Sequence, residues 1–255
     1  MRYYLTLAIE LWAYMSLWYA VAVWRKRNDV ADVAWGLGFV LLAWTSLSLC
    51  GMAGVRGILV STLVSVWGLR LAWHIGRRHR GRSEDYRYAA WRQEWGRWFQ
   101  LRSYLQVFLL QGVFLLVTAT PVLIINRSAD GKLGALSGIG VAIWMIGFFV
   151  EALSDAQLTR FVRNPLNRGR IMQGGLWRYS RHPNYFGEIV QWWGIWIVSL
   201  GAAGGWIGVV GPLTITYLIL RVSGIPMLER KMDGRPDFED YKRRTSALIP
   251  LLPKN

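Results

Sequence analysis

The chain has 255 residues, 53% hydrophobic and 18% charged, with a mean hydropathy of +0.24. Soluble domains carry about 25% charged residues. The apolar content excludes a solvated disordered chain, and a single cysteine, Cys50, excludes an intrachain disulfide scaffold. What remains is a polytopic membrane protein. The net charge of +15 is then read as basic residues gathered on one side of a bilayer, not as a nucleic-acid footprint.

Crossing a hydrocarbon core of about 30 Å takes roughly 20 helical residues. Seven segments meet that requirement: 3–24, 31–50, 57–75, 103–125, 135–158, 183–200 and 206–222. The expected fold is therefore all-α, a single integral-membrane domain over 1–255 with seven transmembrane helices. Seven spans sort the 30 Lys and Arg residues into 26 on one side and four (Arg2, Arg56, Arg127 and Lys132) on the other. The positive-inside rule then puts the N-terminus outside and the C-terminus in the cytoplasm. Ala20-Val21-Ala22 resembles a signal-peptidase site, but the apolar run before it is long and Arg25-Lys26-Arg27 follows, so span one is expected to be retained. Between spans three and four, Trp91, Trp95, Trp98 and Phe99 recur at i, i+4, i+7 and i+8, which predicts an amphipathic helix in the headgroup region. Gly201-Ala202-Ala203-Gly204-Gly205 predicts a tight turn between spans six and seven.

An acid at mid-membrane costs roughly 2.5–3.5 kcal/mol, so each one needs a reason. Glu10 reads as an interhelical hydrogen-bonding group. The others fall at the cytoplasmic ends of their spans. Asp32 starts span two, and Arg70 and His74 close span three. Glu151, Ser154 and Asp155 share a face of span five, as do Asn184, Glu188 and Gln191 in span six. A water-lined cavity open to the cytoplasm accounts for these faces together. The arginines at its mouth suit phosphate, the carboxylates and amides suit ribose hydroxyls or a carboxamide, and the Trp-rich bundle suits a lipid. The alternative for the arginines is binding to anionic lipid headgroups.

The most specific stretch is Gly174-Gly175-Leu176-Trp177-Arg178-Tyr179-Ser180-Arg181-His182-Pro183-Asn184-Tyr185-Phe186-Gly187-Glu188. Pro183 suits the first position of a helix, and His182 before it is held out of helical geometry. The stretch resembles the steroid 5α-reductase family, in its bacterial DUF1295-type branch. The resemblance extends to Gln173 and to Ser246-Ala247-Leu248-Ile249-Pro250, and more weakly to 70–88. It implies seven-helix membrane enzymes that use NADPH to reduce a double bond conjugated to a carbonyl, here in a steroid-like or isoprenoid lipid. It further implies cofactor binding by Arg77, Arg82, Glu151, Asp155, Arg163, Arg170, His182, Asn184, Tyr185 and Glu188. His74 falls where the family uses a Tyr to polarise the substrate carbonyl. The family's Gln-Glu dipeptide of span two is absent, and Asp32 is its candidate counterpart.

Isoprenylcysteine and phospholipid methyltransferases share an Arg-His-Pro-x-Tyr-x-Gly pattern at the same kind of helix start, with an acidic, aromatic tail like that of residues 229–241. S-adenosylmethionine is therefore the alternative cofactor. A non-enzymatic carrier or scaffold is the third reading. His74, His79 and His182 lack metal-ligand spacing, so no metal is expected. Membrane lipids and a lipid substrate are the expected partners, with no nucleic acid and no obligate protein partner.

Overall fold

The computed structural model describes residues 2–51, 54–128 and 132–254. The first apolar run forms α1 (Arg2–Arg25). Lys26, at φ +54°, turns the chain, and α2 follows over Val30–Ser48. α3 (Val55–His79) ends in Arg77, Arg78 and His79, and the two arginines are cations that suit the negative end of a helix. A helical run then extends from Tyr86 to Thr118. It comprises α4 (Tyr86–Trp95), a 3-10 turn (Gly96–Trp98), α5 (Phe99–Arg102), a π-helical stretch (Ser103–Leu109) and α6 (Leu110–Thr118). Next come α7 (Thr120–Arg127), α8 (Ala135–Arg163), α9 (Pro183–Ser199), α10 (Val210–Tyr217), α11 (Ile225–Arg230) and α12 (Pro236–Arg244). Among the described residues no strand forms, and one isolated parallel bridge joins Ser180 to Ser246.

Among the described residues, six helical runs are long and apolar enough to cross a membrane: Arg2–Arg25, Val30–Ser48, Val55–His79, Tyr86–Thr118, Ala135–Arg163 and Gly205–Arg230. The expected sixth span is α9, whose 17 residues reach about 25 Å, short of a full hydrocarbon core. The expected fourth span is displaced. Pro121 cannot donate to Val117, so the run stops at Thr118 and α7 restarts after Ala119. The aromatic row also departs from expectation. Trp95 and Phe99 are buried while Trp98 is exposed, because Gly96, at φ +48°, resets the helical phase between them. The row is therefore divided, with Trp95 and Phe99 packed inward and Trp98 turned outward.

The chain packs as two compact units. The first comprises Met1–Leu133 and Ser199–Val210, the second Gly134–Val198 and Gly211–Asn255. In the first unit, α2 and α3 meet backbone to backbone. A Cβ on Gly36 would lie 2.6 Å from the Gly68 carbonyl oxygen, and one on Gly68 would lie 2.5 Å from that of Gly36. Phe39, Leu42, Val64 and Trp67 fill the core around this crossing. Thr45 donates to Glu10 at 2.7 Å, the interhelical bond expected of Glu10. Arg56 is only 5% exposed and donates to the carbonyls of Gly201, at 2.5 Å, and of Lys132. The 199–205 turn is thereby fastened to the first unit, with Gly204 at φ +72° completing the predicted turn.

In the second unit, α8 and α9 run antiparallel with glycines seven residues apart on each. A Cβ on Gly140 would stand 2.6 Å from the Gly194 carbonyl oxygen, one on Gly147 2.6 Å from that of Gly187, and one on Gly187 2.6 Å from the Glu151 nitrogen. Small residues of this kind let membrane helices approach closely without a hydrophobic driving force between them. The expected outcome is that Gly187→Val destabilises the detergent-solubilised protein by at least about 1–3 kcal/mol through overpacking. Gly138→Ala, where an added Cβ meets nothing within 4 Å, should leave stability unchanged. Thermal unfolding of the two variants side by side checks this.

Candidate functional site

Pro183 opens α9 as the sequence predicts, and the chain just before it is clamped on several sides. The His182 backbone N–H donates to Ser180 Oγ at 3.1 Å. Its ring stacks on Tyr185 at 5.7 Å, and Nε2 lies 3.0 Å from Glu229 Oε1. Arg181 Nε donates to the same carboxylate at 2.8 Å. The C-terminal tail completes the clamp. Arg181 N donates to Ser246 O at 2.8 Å, Ser180 Oγ to Leu248 O at 2.7 Å and Leu251 N to Tyr179 O at 3.0 Å. The Tyr241 hydroxyl donates to Trp177 O, and burial pushes that phenol's pKa upward. From the other side, Trp177 Nε1 donates to Ser154 O on α8 at 3.1 Å.

The glycine-lined crossing sets Glu151 against α9. Glu151, 2% exposed, accepts from Gln191 Nε2 at 2.5 Å, and that amide nitrogen also reaches Gly187 O at 3.3 Å. Asp155 lies one turn further on the same face of α8, and Glu188 one turn before Gln191; they are 6% and 8% exposed. Two acceptors on the α9 face, Asn184 Oδ1 and Gln191 Oε1, are buried without a hydrogen-bond partner among the described residues. Leaving such a group unsatisfied costs about 1–3 kcal/mol. A bound molecule presenting N–H or O–H groups, such as a carboxamide or a sugar, would satisfy both. Arg163 and Arg170 are exposed, at the end of α8 and in the turn beyond it.

The first unit gathers a separate ionic network. Asp32, in the first turn of α2, accepts from Arg87 Nη2 at 2.6 Å and from the Tyr88 hydroxyl at 2.7 Å, both on α4. His74 is half-buried on α3. A Cβ on Gly76 would touch Val33 and one on Gly36 would touch Ala72, so Asp32 and His74 occupy neighbouring turns of the α2–α3 crossing. Arg77 and Arg82 are exposed. Asp29, 1% exposed, pairs with Arg27 through two bonds of 2.7 and 2.6 Å and accepts from the Asp85 N–H at 3.0 Å. Glu84 accepts from Asn28 N at 2.6 Å and from Arg92.

Sequence reasoning missed Arg87 and Tyr88 as partners of Asp32, and it saw Glu229 only as part of an acidic tail. Arg87 and Tyr88 lie 55 and 56 residues beyond Asp32, so no local spacing links them. Gln191 had already signalled itself, by its i+7 position from Asn184.

Helices, apolar runs and a buried acid–amide face together define a multi-pass, all-helical membrane protein. The chain belongs to the DUF1295 family, described as a protein of unknown function, whose model matches residues 18–245. It is 26% identical over 283 residues to an uncharacterized protein of Schizosaccharomyces pombe, covering 92% of this chain and 76% of that one. It is 32% identical over 114 residues to 3-oxo-5-alpha-steroid 4-dehydrogenase 1 of Rattus norvegicus, covering 44% of this chain and 40% of that one. With the Homo sapiens enzyme of the same name the identity is 37% over 115 residues, 45% of this chain and 41% of that enzyme. The match thus spans about two fifths of the length of these steroid enzymes. The steroid 5α-reductase-like, DUF1295-type resemblance drawn from the motif holds.

The Asp29 network makes stability depend on pH. Burial alone would raise the Asp29 pKa, but the Arg27 hydrogen bonds, the Asp85 N–H and nearby His79 override it and hold the carboxyl below its ordinary value. Asp85 is lowered in the same way, its burial overcome by Arg87. A depressed carboxyl contributes stability that is fully present above its unfolded pKa of about 3.9 and is lost as pH falls through the folded value. Asp29→Asn should therefore lower stability at pH 7 and flatten its loss below about pH 4. Thermal unfolding of both proteins from pH 7 to pH 3 gives the comparison.

Proposed function

We propose that this chain is an NADPH-dependent membrane reductase of a carbonyl-conjugated C=C bond in a steroid-like or isoprenoid lipid. The observation that carries this reading is the α8–α9 face. Two buried amide oxygens there, on Asn184 and Gln191, await donors beside Glu151 and Glu188, at the start of the helix that bears the family motif. The name of the rat and human relatives, 3-oxo-5-alpha-steroid 4-dehydrogenase 1, describes redox chemistry on a 3-oxo steroid. That supports the same reaction class here.

In the second unit, Asn184 and Gln191 would accept from the cofactor's carboxamide or sugar groups. Asp155 and Glu188 would take ribose hydroxyls, and Glu151 would hold Gln191 in position. His182 and Tyr185, stacked and fixed through Glu229, would form one wall of the site. In this unit Arg163 and Arg170 are assigned to phosphate, which guanidinium recognises through its bidentate fork. In the first unit, Arg77 and Arg82 carry the same assignment from the family resemblance. The bound dinucleotide supplies the hydride.

His74 would donate a hydrogen bond to the substrate carbonyl oxygen and stabilise the negative charge that develops there. Asp32, held by Arg87 and Tyr88, would orient that donor as a positioning residue. Seven crossings, with α9 included, an outside N-terminus and a site open to the cytoplasm complete the proposal. The 26-to-4 partition of basic residues favours that topology.

A thermal-shift titration of the purified protein with NADPH, NADH and S-adenosylmethionine tests it. A ligand that binds only the folded state adds about 2.7 kcal/mol at a hundred times its dissociation constant. We expect the shift with NADPH. A shift with S-adenosylmethionine alone would overturn the reductase and make the chain a methyltransferase. Asn184→Ala and Glu188→Ala should abolish the NADPH shift while leaving the unliganded melting temperature close to that of the parent. His74→Ala should lower turnover with little change in cofactor affinity, and unchanged turnover would remove it from the mechanism.

A further inference from the structure

The face of α8 opposite Glu151 and Asp155 carries a second feature. At about 100° per residue, Leu153, Ala156, Gln157 and Arg160 lie roughly across the helix from the two acids. Between this face and the 164–175 turn runs an open groove of about 480 Å³, lined by Leu153, Ala156, Arg160, Phe161 and Met172 among others. Its walls are held by specific bonds. Gln157 Oε1 accepts from Leu176 N at 3.0 Å, Asn167 Nδ2 donates to Phe161 O at 3.0 Å, and Asn164 Oδ1 accepts from Leu166 N at 3.1 Å. Gly175, at φ +61°, lets the chain pass Gln157 where a Cβ would stand 2.6 Å from its Oε1.

Charge and shape in this groove point to one kind of occupant. Residues 159–173 contain Arg160, Arg163, Arg168 and Arg170 and no acid. Arg160 lines the groove, is exposed, and has no hydrogen-bond or ion-pair partner among the described residues. Leading away from it along one stripe of the helix are Ala156, Leu153 and Phe149, the last two 52% and 59% exposed. From Phe149 to Arg160 the stripe is about 16 Å long, close to half of the roughly 30 Å hydrocarbon core, the depth of one leaflet. α8 is long and apolar enough to cross a membrane, a placement that would set the stripe against acyl chains.

We propose that this groove is a binding site for an anionic phospholipid, with the phosphate on the Arg160 guanidinium and an acyl chain along Ala156, Leu153 and Phe149. The absence of any acid in residues 159–173 favours a net negative headgroup over one carrying its own ammonium. The groove lies across α8 from Glu151 and Asp155, and the four residues that would touch the lipid, Arg160, Ala156, Leu153 and Phe149, include none of those assigned to the cofactor.

Native mass spectrometry of the detergent-purified full chain tests the proposal. Phosphatidylglycerol and phosphatidylcholine with identical chains would be added back after delipidation. The unmodified protein should retain phosphatidylglycerol preferentially. Arg160→Gln should weaken that retention about fivefold, the loss of one cationic contact. Ala156→Trp should fill the groove and abolish retention of both lipids. Arg243→Gln, an exposed arginine paired with Asp240 on α12, should change nothing. Arg160 is exposed, so its variant tests the site even if Ala156→Trp fails to fold. Equal retention of the two lipids by the unmodified protein would overturn the proposal, as would an unchanged Arg160→Gln or an equal loss in Arg243→Gln. Displacement by free glycerol phosphate at the same concentration as the lipid would also overturn it, because the apolar stripe would then contribute nothing.

Discussion

The close approach of α8 and α9 is the constraint on which the site depends. Four glycines, two on each helix, bring the backbones together with no side chain between them. At that distance a carboxylate on α8 and an amide on α9 meet directly, and Glu151 and Gln191 do so at 2.5 Å. With larger residues at the crossing, the two polar faces would be separated by apolar side chains, and each buried acid would have to find partners elsewhere. The same geometry exposes the cost of the arrangement, since two buried amide oxygens on α9, of Asn184 and Gln191, have no hydrogen-bond partner among the described residues.

The start of α9 is set by a different interaction. Arg181 and His182 converge on Glu229, and residues 241–251 lie along residues 177–181 through a short series of backbone and hydroxyl bonds. The motif therefore owes its shape to a segment more than sixty residues further along the chain. In the first unit the cluster of Asp29, Asp32, Glu84, Arg27, Arg87 and Arg92 performs the equivalent task, joining the start of α2 to the start of α4.

Much of this was legible in the sequence, for physical reasons that differ from residue to residue. The helices could be located because apolar runs of about 20 residues have few other uses. Pro183 at the first position of α9 and the polar faces at 151/155 and 184/188/191 followed from steric and helical periodicity. What could not be read depended on backbone events or distant partners. Gly96, with its positive φ, interrupts the helix between Trp95 and Trp98, and the aromatic row divides into buried Trp95 and Phe99 and exposed Trp98. Pro121 divides what hydropathy alone joins into one span. α9 is apolar enough to suggest a crossing but only 17 residues long. The partners of Asp32 and His182 are far away in sequence, and the seven-residue glycine spacing of α8 and α9 gains its meaning only when the two helices are paired.

The interleaving of the two units bears on how the chain acquires its structure. Residues 199–210 belong to the first unit, yet they lie between two stretches of the second. Arg56 finds its carbonyl at Gly201, 145 residues later. The first unit therefore cannot finish folding until α8 and α9 have been made, and the second still lacks everything after residue 210 at that moment. Closing such long loops carries an entropic cost that local helix formation does not repay. Neither unit is a continuous N-terminal or C-terminal half of the chain, so a cut between residues 133 and 134 would leave the first unit without residues 199–210 and without the Gly201 carbonyl that Arg56 holds.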